Sequence, residues 1–344
     1  MLNIGIEQEF VFADESRQYL DADNTSYPVF SNIVDQLSAH EGDDSVLECK
    51  SLEQYPKRCY VEGFERHDPE GNVIETIPKG LEIRTLPHES VDSLVVEFRS
   101  TYADVMRQAR QAGLSPVLTS MHPFKSSLEL NGRLDATEQR VRTESRLAVA
   151  KRSMLTHGLH VNVSVAGYSA EKMQGLVEKI NYYTPSLVPW SFSSPFCNGV
   201  VFDGLCARNH SRAGTRSMAG LDNRHGIQVL EFRGFDALSD TRLLTALLKL
   251  FFGFLMDKSL QGRASAQDPG RLIRSSLYGF SDPEFRAEGL AILKGAKPAL
   301  AEDPDSLELL EGMLEHNDSS SARMKQCYAD SGNIMDCISG RYDF

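Results

Sequence analysis

Residues 5–10 read Gly5-Ile6-Glu7-Gln8-Glu9-Phe10. Side chains two apart on a strand share a face. As a strand, this stretch sets Glu7 and Glu9 on one side and Ile4, Ile6 and Phe10 on the other. The same division recurs three times. Glu82 and Arg84 lie opposite Leu81 and Ile83; His160, Asn162 and Ser164 lie opposite Leu159, Val161 and Val163; Glu231 and Arg233 lie opposite Leu230 and Phe232. Each strand has one apolar and one chemical face. A solvated sheet surface mixes Lys, Thr and Ser, whereas these stretches gather Glu7, Glu9, Glu82 and Glu231 with two arginines, a histidine and an asparagine, and hardly a lysine. Gathered carboxylates repel unless cations neutralise them, and hard oxygen donors with one imidazole suit Mg²⁺ or Mn²⁺. The plainer reading, the wet face of a half-exposed antiparallel sheet, stays open at this point.

Around these strands, periodicity predicts helices over 30–40, 90–112, 138–156, 169–183 and 239–260. A hairpin is predicted over 59–84, turning at Asp68-Pro69-Glu70-Gly71-Asn72. Helix 90–112 carries Val91, Leu94, Val95, Phe98, Tyr102, Val105, Met106 and Ala109 at spacings of three and four, and closes on Gly113. Strands are expected over 114–120, 157–165 and 228–235. Pro185 and Pro189 break the chain after Tyr183, ahead of a long loop over 191–224 that bears Arg208, His210, Arg212, Arg216 and Arg224. Its length favours a phosphate-contacting or lid loop over a solvated one. Helix 239–260 is apolar nearly all round, which suits a core or a subunit contact and leaves a homo-oligomer open. Residues 271–344 read as helical and polar, without a motif. Strands and helices do not alternate regularly and no linker divides the chain. The expectation is one α+β catalytic domain over 1–344 on a mainly antiparallel sheet.

Composition narrows the function. Lys and Arg total 36 against 48 Asp and Glu, a formal charge of −12, which argues against a nucleic-acid binder held by phosphate contacts. A polyanionic ligand would need a local basic site or bound cations. The longest apolar stretch, 243–256, contains Lys249 and falls short of the roughly 20 residues that cross a bilayer. The start of the chain has no basic n-region, apolar h-region or small-residue cleavage site, so the chain reads as cytoplasmic and not membrane-bound. Six cysteines without a C-x-x-C pair read as free thiols; the separation of Cys327 from Cys337 permits a redox pair that nothing in the sequence favours. No P-loop, dinucleotide or G-x-S-x-G signature occurs.

Five elements come in an order shared with a known family. They are Gly5-Ile6-Glu7-Gln8-Glu9-Phe10, Thr119-Ser120-Met121-His122-Pro123-Phe124 before an Arg-rich helix, Gly158-Leu159-His160-Val161-Asn162-Val163, Ser193-Ser194-Pro195-Phe196 and Leu230-Glu231-Phe232-Arg233. Over about residues 1–260 the chain resembles the glutamate-cysteine ligase-like carboxylate-amine ligases. The resemblance implies a glutamine-synthetase-like fold: a curved, mainly antiparallel sheet with helices on its convex face, and ATP and divalent metals on the concave one. It assigns Mg²⁺ or Mn²⁺ to Glu7, Glu9, Glu82, His160 and Glu231, and stabilisation of the transferring phosphoryl group to Arg233. Glutamate or another amino acid becomes the default carboxylate donor, and cysteine or another primary amine the acceptor. Many members carry His-Val-His where this chain has His160-Val161-Asn162, so an amide, a weak metal ligand, stands for one imidazole.

Further candidates come from the residues themselves. Arg212 and Arg216 are candidates for phosphate or substrate-carboxylate contacts, and Arg84 for a nucleotide contact or, equally, a structural partner. Asn162 is a candidate to hydrogen-bond substrate. His122 reads as structural and His157 as ordinary. Two alternatives use the same face: a metal-dependent hydrolase, and a non-catalytic family member acting as a binding subunit. A pure binding module has no need of so many mutually repelling carboxylates.

Overall fold

A computed structural model of the chain describes residues 2–40, 42–50, 52–130, 144–215, 217–224 and 226–344, apart from the side chains of 144–146. Six antiparallel strands form the main sheet: β1 (Leu2–Ala13), β2 (Cys59–His67), β3 (Val73–Arg84), β5 (Gly158–Val165), β8 (Ala219–Arg224) and β9 (Ile227–Asp236). Their order is β2-β3-β1-β5-β9-β8, and β4 (Ser115–Val117) pairs with the far end of β1. The sheet curls into a half-barrel backed by helices, which is the expected α+β architecture.

Alternation decides which face goes inward. Ile4, Ile6, Phe10, Leu81, Ile83, Leu159, Val161, Val163, Leu230 and Phe232 are all buried in one continuous core. Each such side chain contributes about 1.5–3 kcal/mol on leaving water. Gln8 is the exception on that face, and both ends of its amide are bonded: Nε2 donates to Leu238 O (3.1 Å) and Oε1 accepts from Leu238 N–H (3.1 Å). Against this face packs α2 (Val91–Gln111), whose buried residues are the eight read from its spacing. Ser90 caps it, with Oγ accepting from Ser93 N–H at 3.2 Å.

The apolar helix is α6 (Thr241–Met256), capped by Asp240. It packs on α2, on α8 (Pro283–Leu300) and on α9 (Pro304–His316) of the same chain. Phe251 stacks on Phe232 (centroids 5.3 Å apart), which ties the helix to the sheet. Lys249, within its apolar run, reaches Asp303 (2.8 Å) and Asp92 (3.1 Å). The helix therefore serves the core, and the subunit-contact alternative is set aside.

Several expectations are corrected. The stretch 191–224 is not one loop: it holds the short pair β6 (Phe196–Cys197) and β7 (Val200–Val201), helix α5 (Ala207–Arg212) and β8, the edge strand of the main sheet. Its glycines and serines mark the turns between these pieces. Helix α1 spans Tyr27–Asp35, earlier than expected, because Pro28 suits a first turn. Helix α3 is described over Glu144–Ser153, and 138–143 lie outside the described residues. Helix α4 (Ala170–Leu187) runs through Pro185, which stands in its last turn. The C-terminal part adds α7 (Pro269–Tyr278), α10 (Ser320–Ser331) and α11 (Ile334–Ile338) to α8 and α9. All six cysteines are free; burial and the neighbouring Cys327 push the Cys337 thiol up to about 11. Among the described residues no helix is long and apolar enough to cross a membrane.

Two bulges matter for the chemical face. Glu62 pairs with Gly80 but Gly63 pairs with Pro78, so Lys79 is an extra residue on β3. A Cβ on Gly80 would stand 2.1 Å from Phe10 O, and one on Gly63 would stand 2.1 Å from Ile77 O. Only glycine fits at either place. On the other side of the sheet Leu159 pairs with Phe235 and Val161 with Phe232, which leaves Arg233 and Gly234 opposite His160.

Gly80→Ala should destabilise the fold by roughly 2–4 kcal/mol, because backbone rather than a flexible side chain blocks the new methyl. Urea unfolding of the variant would show this as a lower midpoint at similar slope; an unchanged midpoint would mean that β1 and β3 separate freely.

Candidate functional site

The register brings the chemical residues together. Glu7 lies between Arg84 on β3 and His160 on β5, Glu9 faces Glu82, and Asn162 faces Glu231. The five expected metal ligands share one side of the sheet but fall into two groups. Among the described residues, Glu7, His160 and Glu231 each offer an atom within 4.8 Å of the others, and so do Glu9, Glu62 and Glu82.

In the first group His160 Nδ1 stands 3.5 Å from Glu7 Oε2 and 3.6 Å from Glu231 Oε1. These separations are too long for hydrogen bonds. Arg224, on the edge strand, spans both acids, at 3.6 Å from Glu7 Oε1 and 3.7 Å from Glu231 Oε2. Arg233 pairs with Glu231 directly. Burial alone would raise the Glu7 carboxyl, but His160, Arg224 and Lys50 outweigh it and bring it down to about 2. Two carboxylates and an imidazole, close but not bonded to one another, are a donor set that fits Mg²⁺ or Mn²⁺.

The second group is drier. Glu9 and Glu82 are 7% and 3% exposed. Lys79 Nζ donates to Glu9 Oε1 at 2.6 Å and lies 3.7 Å from Glu62 Oε1. Burial would raise Glu9 too, yet Lys79 leads the groups that hold it at about 2. Glu62 and Glu82 go the other way: burial and the neighbouring acids push Glu62 up to about 7 and Glu82 well above its usual value.

Arg84 takes the structural one of its two expected roles, and Arg212, a candidate for phosphate or substrate carboxylate, is placed as a support instead. Arg84 is 4% exposed, donates to Lys57 O (2.7 Å) and Glu48 O (2.8 Å), and lies over the Tyr60 ring. Arg212 is buried and donates to Arg233 O (3.1 Å), as does Arg208 (3.1 Å). Both lie behind β9 and brace it, because α5 packs them against backbone carbonyls. Arg216 lies outside the described residues. Asn162 is half-buried beside Glu231, and its Oδ1 is buried without a hydrogen-bond partner among the described residues. His122 is structural: Nδ1 accepts from Phe124 and Lys125 N–H (3.1 Å each), so Nε2 carries the proton toward Asp21 (2.8 Å). His157 is buried against Tyr19 OH (3.2 Å), and burial and Lys79 hold it well below its usual value.

Three site residues were missed. Glu62 was within reach, since Tyr60 and Glu62 alternate with Cys59 and Val61 on β2. Lys79 was not, because simple alternation sets it opposite Glu82 and only the bulge turns it over. Arg224 was seen among the arginines of 191–224, but its edge strand was not.

Comparisons bear on what these groups do. The family profile of glutamate-cysteine ligase family 2 (GCS2) matches residues 3–205, more than half of the chain. A "Putative glutamate--cysteine ligase 2" of Ruegeria pomeroyi is 29% identical over 137 residues, covering 38% of this chain and 34% of its own length. A "Putative glutamate--cysteine ligase 2-1" of Streptomyces avermitilis is 30% identical over 176 residues, covering 48% and 46%. The matched stretches thus span less than half of either relative. Among solved structures, the bifunctional glutathione synthetase of Pasteurella multocida aligns over 98% of this chain and 51% of its own, with TM-score 0.61 at 14% identity. The glutamate–cysteine ligase of Francisella tularensis, solved with AMP, aligns over 98% and 87%, with TM-score 0.59 at 13% identity. These two likenesses carry the fold.

Glu48, Glu53 and Lys57 border the acidic face at Arg84, and Glu53 tests its electrostatics. Burial raises the Glu53 carboxyl to about 7, although Arg84 stands 3.6 Å away. An acid whose folded value lies above its unfolded one adds stability that is full below the unfolded value and is lost as pH rises through the folded one. Between about pH 4.5 and 7, Glu53→Gln should therefore gain on the native protein by roughly 1–3 kcal/mol. Urea unfolding at pH 5 and pH 8 measures this; parallel curves for the two proteins would contradict it.

Proposed function

The chain belongs to glutamate-cysteine ligase family 2, and from that premise we propose that it is an ATP-dependent carboxylate-amine ligase that forms an amide through an acyl phosphate. Glutamate is the default donor, which makes the product a γ-glutamyl amide, and cysteine or another primary amine is the acceptor. The observation that carries the reading is the hard-donor group Glu7, His160 and Glu231, with Arg233 and Arg224 against its acids.

A carboxylate is a poor electrophile, and an amine cannot displace oxide from it. Transfer of the γ-phosphoryl group onto the carboxylate gives an acyl phosphate and ADP. The amine nitrogen then attacks the acyl carbon, phosphate leaves with the shared oxygen, and the nitrogen gives up a proton. Both steps load negative charge onto phosphoryl oxygens. Glu7, His160 and Glu231 would hold a divalent cation, Mg²⁺ or Mn²⁺, which supplies charge neutralisation for those oxygens. Arg233 turns from Glu231 to the transferring group, its main chain held by Arg208 and Arg212. Asn162, half-buried beside Glu231, is the residue assigned to hydrogen-bond substrate in this reading.

Glu231→Gln and Arg233→Ala should each lower ADP release in the presence of an amino-acid carboxylate and an amine by at least about 100-fold. Melting temperatures should stay within a few degrees of the native protein, and mass spectrometry should detect the amide only with the native chain. Near-normal turnover in either variant would remove that residue from the reaction, and hydrolysis without amide would favour the metal-dependent hydrolase.

A further inference from the structure

Two buried acids, Glu9 and Glu82, and the half-buried Glu62 would repel one another without positive charge nearby. The fold already brings some. Lys79 Nζ contacts three acceptors: Glu9 Oε1 at 2.6 Å, Ser153 O at 2.9 Å and Thr156 O at 3.0 Å. An ammonium has three N–H bonds to give, so its capacity is spent. Ser153 ends α3, where carbonyls lack helical partners and a cation is favoured, and Thr156 follows the turn after it. The other oxygen of Glu9 accepts from Gly158 N–H at 2.7 Å. Neither Glu9 oxygen is left without a partner.

The first group differs in each respect. Its cations are Arg233, 23% exposed and paired with Glu231, and Arg224, whose side chain is 37% exposed on an edge strand and stands 3.6 and 3.7 Å from the two acids. Such a guanidinium can move aside for an incoming ion, whereas Lys79, at 4% exposure and bound to two main-chain carbonyls, cannot.

We propose that Lys79 is a built-in counter-cation that stands in for a divalent ion among Glu9, Glu62 and Glu82, so that the chain alone binds divalent metal only at Glu7, His160 and Glu231. This rests on the ligase reading of the same face, and deepens it by setting the metal count. The β3 bulge is what turns Lys79 into the acids, and Gly63 and Gly80 are what permit the bulge.

The test is a Mn²⁺ titration of the full chain without nucleotide, so that phosphate adds no ligands, read by electron paramagnetic resonance and calorimetry. The native protein should bind one Mn²⁺ per chain. Glu231→Gln should weaken it at least tenfold, and Glu62→Gln should change it less than threefold. Lys79→Met, shown folded by circular dichroism, should bind a second Mn²⁺. Two ions on the native protein, or a loss of binding in Glu62→Gln, would overturn the proposal while leaving the ligase reading standing. No Mn²⁺ on the native protein would instead overturn the ligase reading. If Lys79→Met does not fold, the native count and the Glu62→Gln arm decide the matter without it.

Discussion

Carboxylates set side by side in a dry place have to be neutralised there, and the acidic face is organised by that constraint. Glu7, Glu9, Glu62, Glu82 and Glu231 come from four different strands. In water each would keep its own shell; under the curl of a sheet they share one. The chain meets the demand by two means of unequal strength. On one side an ammonium is locked into the acids by main-chain carbonyls. On the other, a guanidinium at the sheet edge lies at ion-pair distance from two acids. Buried charge is costly unless paired, so the unevenness of this pairing decides where a foreign cation finds room.

The apolar side of the same strands supplies the rigidity. The ladder from β2 to β8 holds the acids in register, and α2, α4 and α6 cover its back. Phe251 against Phe232 links α6 to the strand that bears Glu231 and Arg233. A rotation of β9 would therefore have to repack the core. Arg208 adds a second brace, reaching Gly234 O at 3.2 Å and Asp236 at 3.4 Å from within the core. The phosphoryl transfer proposed above would need such stiffness, since positioning and fixed charge supply most of the catalysis of such steps.

Much of this was legible in the amino-acid order because a strand's two-residue period is unforgiving. Glu7 and Glu9 against Ile4, Ile6 and Phe10 fixed which side was wet, and the eight buried positions of α2 followed from spacing alone. What stayed hidden was whatever breaks the period. Lys79 reverses its side through one extra residue, and no local signal sets that bulge apart from an ordinary glycine pair. Arg84 and Arg212 look like ligand contacts by composition, yet their partners are carbonyls at Glu48, Lys57 and Arg233, distant in sequence and invisible to a one-dimensional reading. Division of the acids into two groups is likewise a matter of ångströms.

The hydrogen bond from Gly158 N–H to Glu9 carries a last consequence, for assembly. It joins an acid near the start of the chain to the first residue of β5, and Glu231 enters only with β9. None of these contacts is local, so loop closure has to come first and its reward arrives late. The proposed metal group of Glu7, His160 and Glu231 is incomplete until β9 has left the ribosome. In that reading, ion capture would follow the completed topology and not nucleate it.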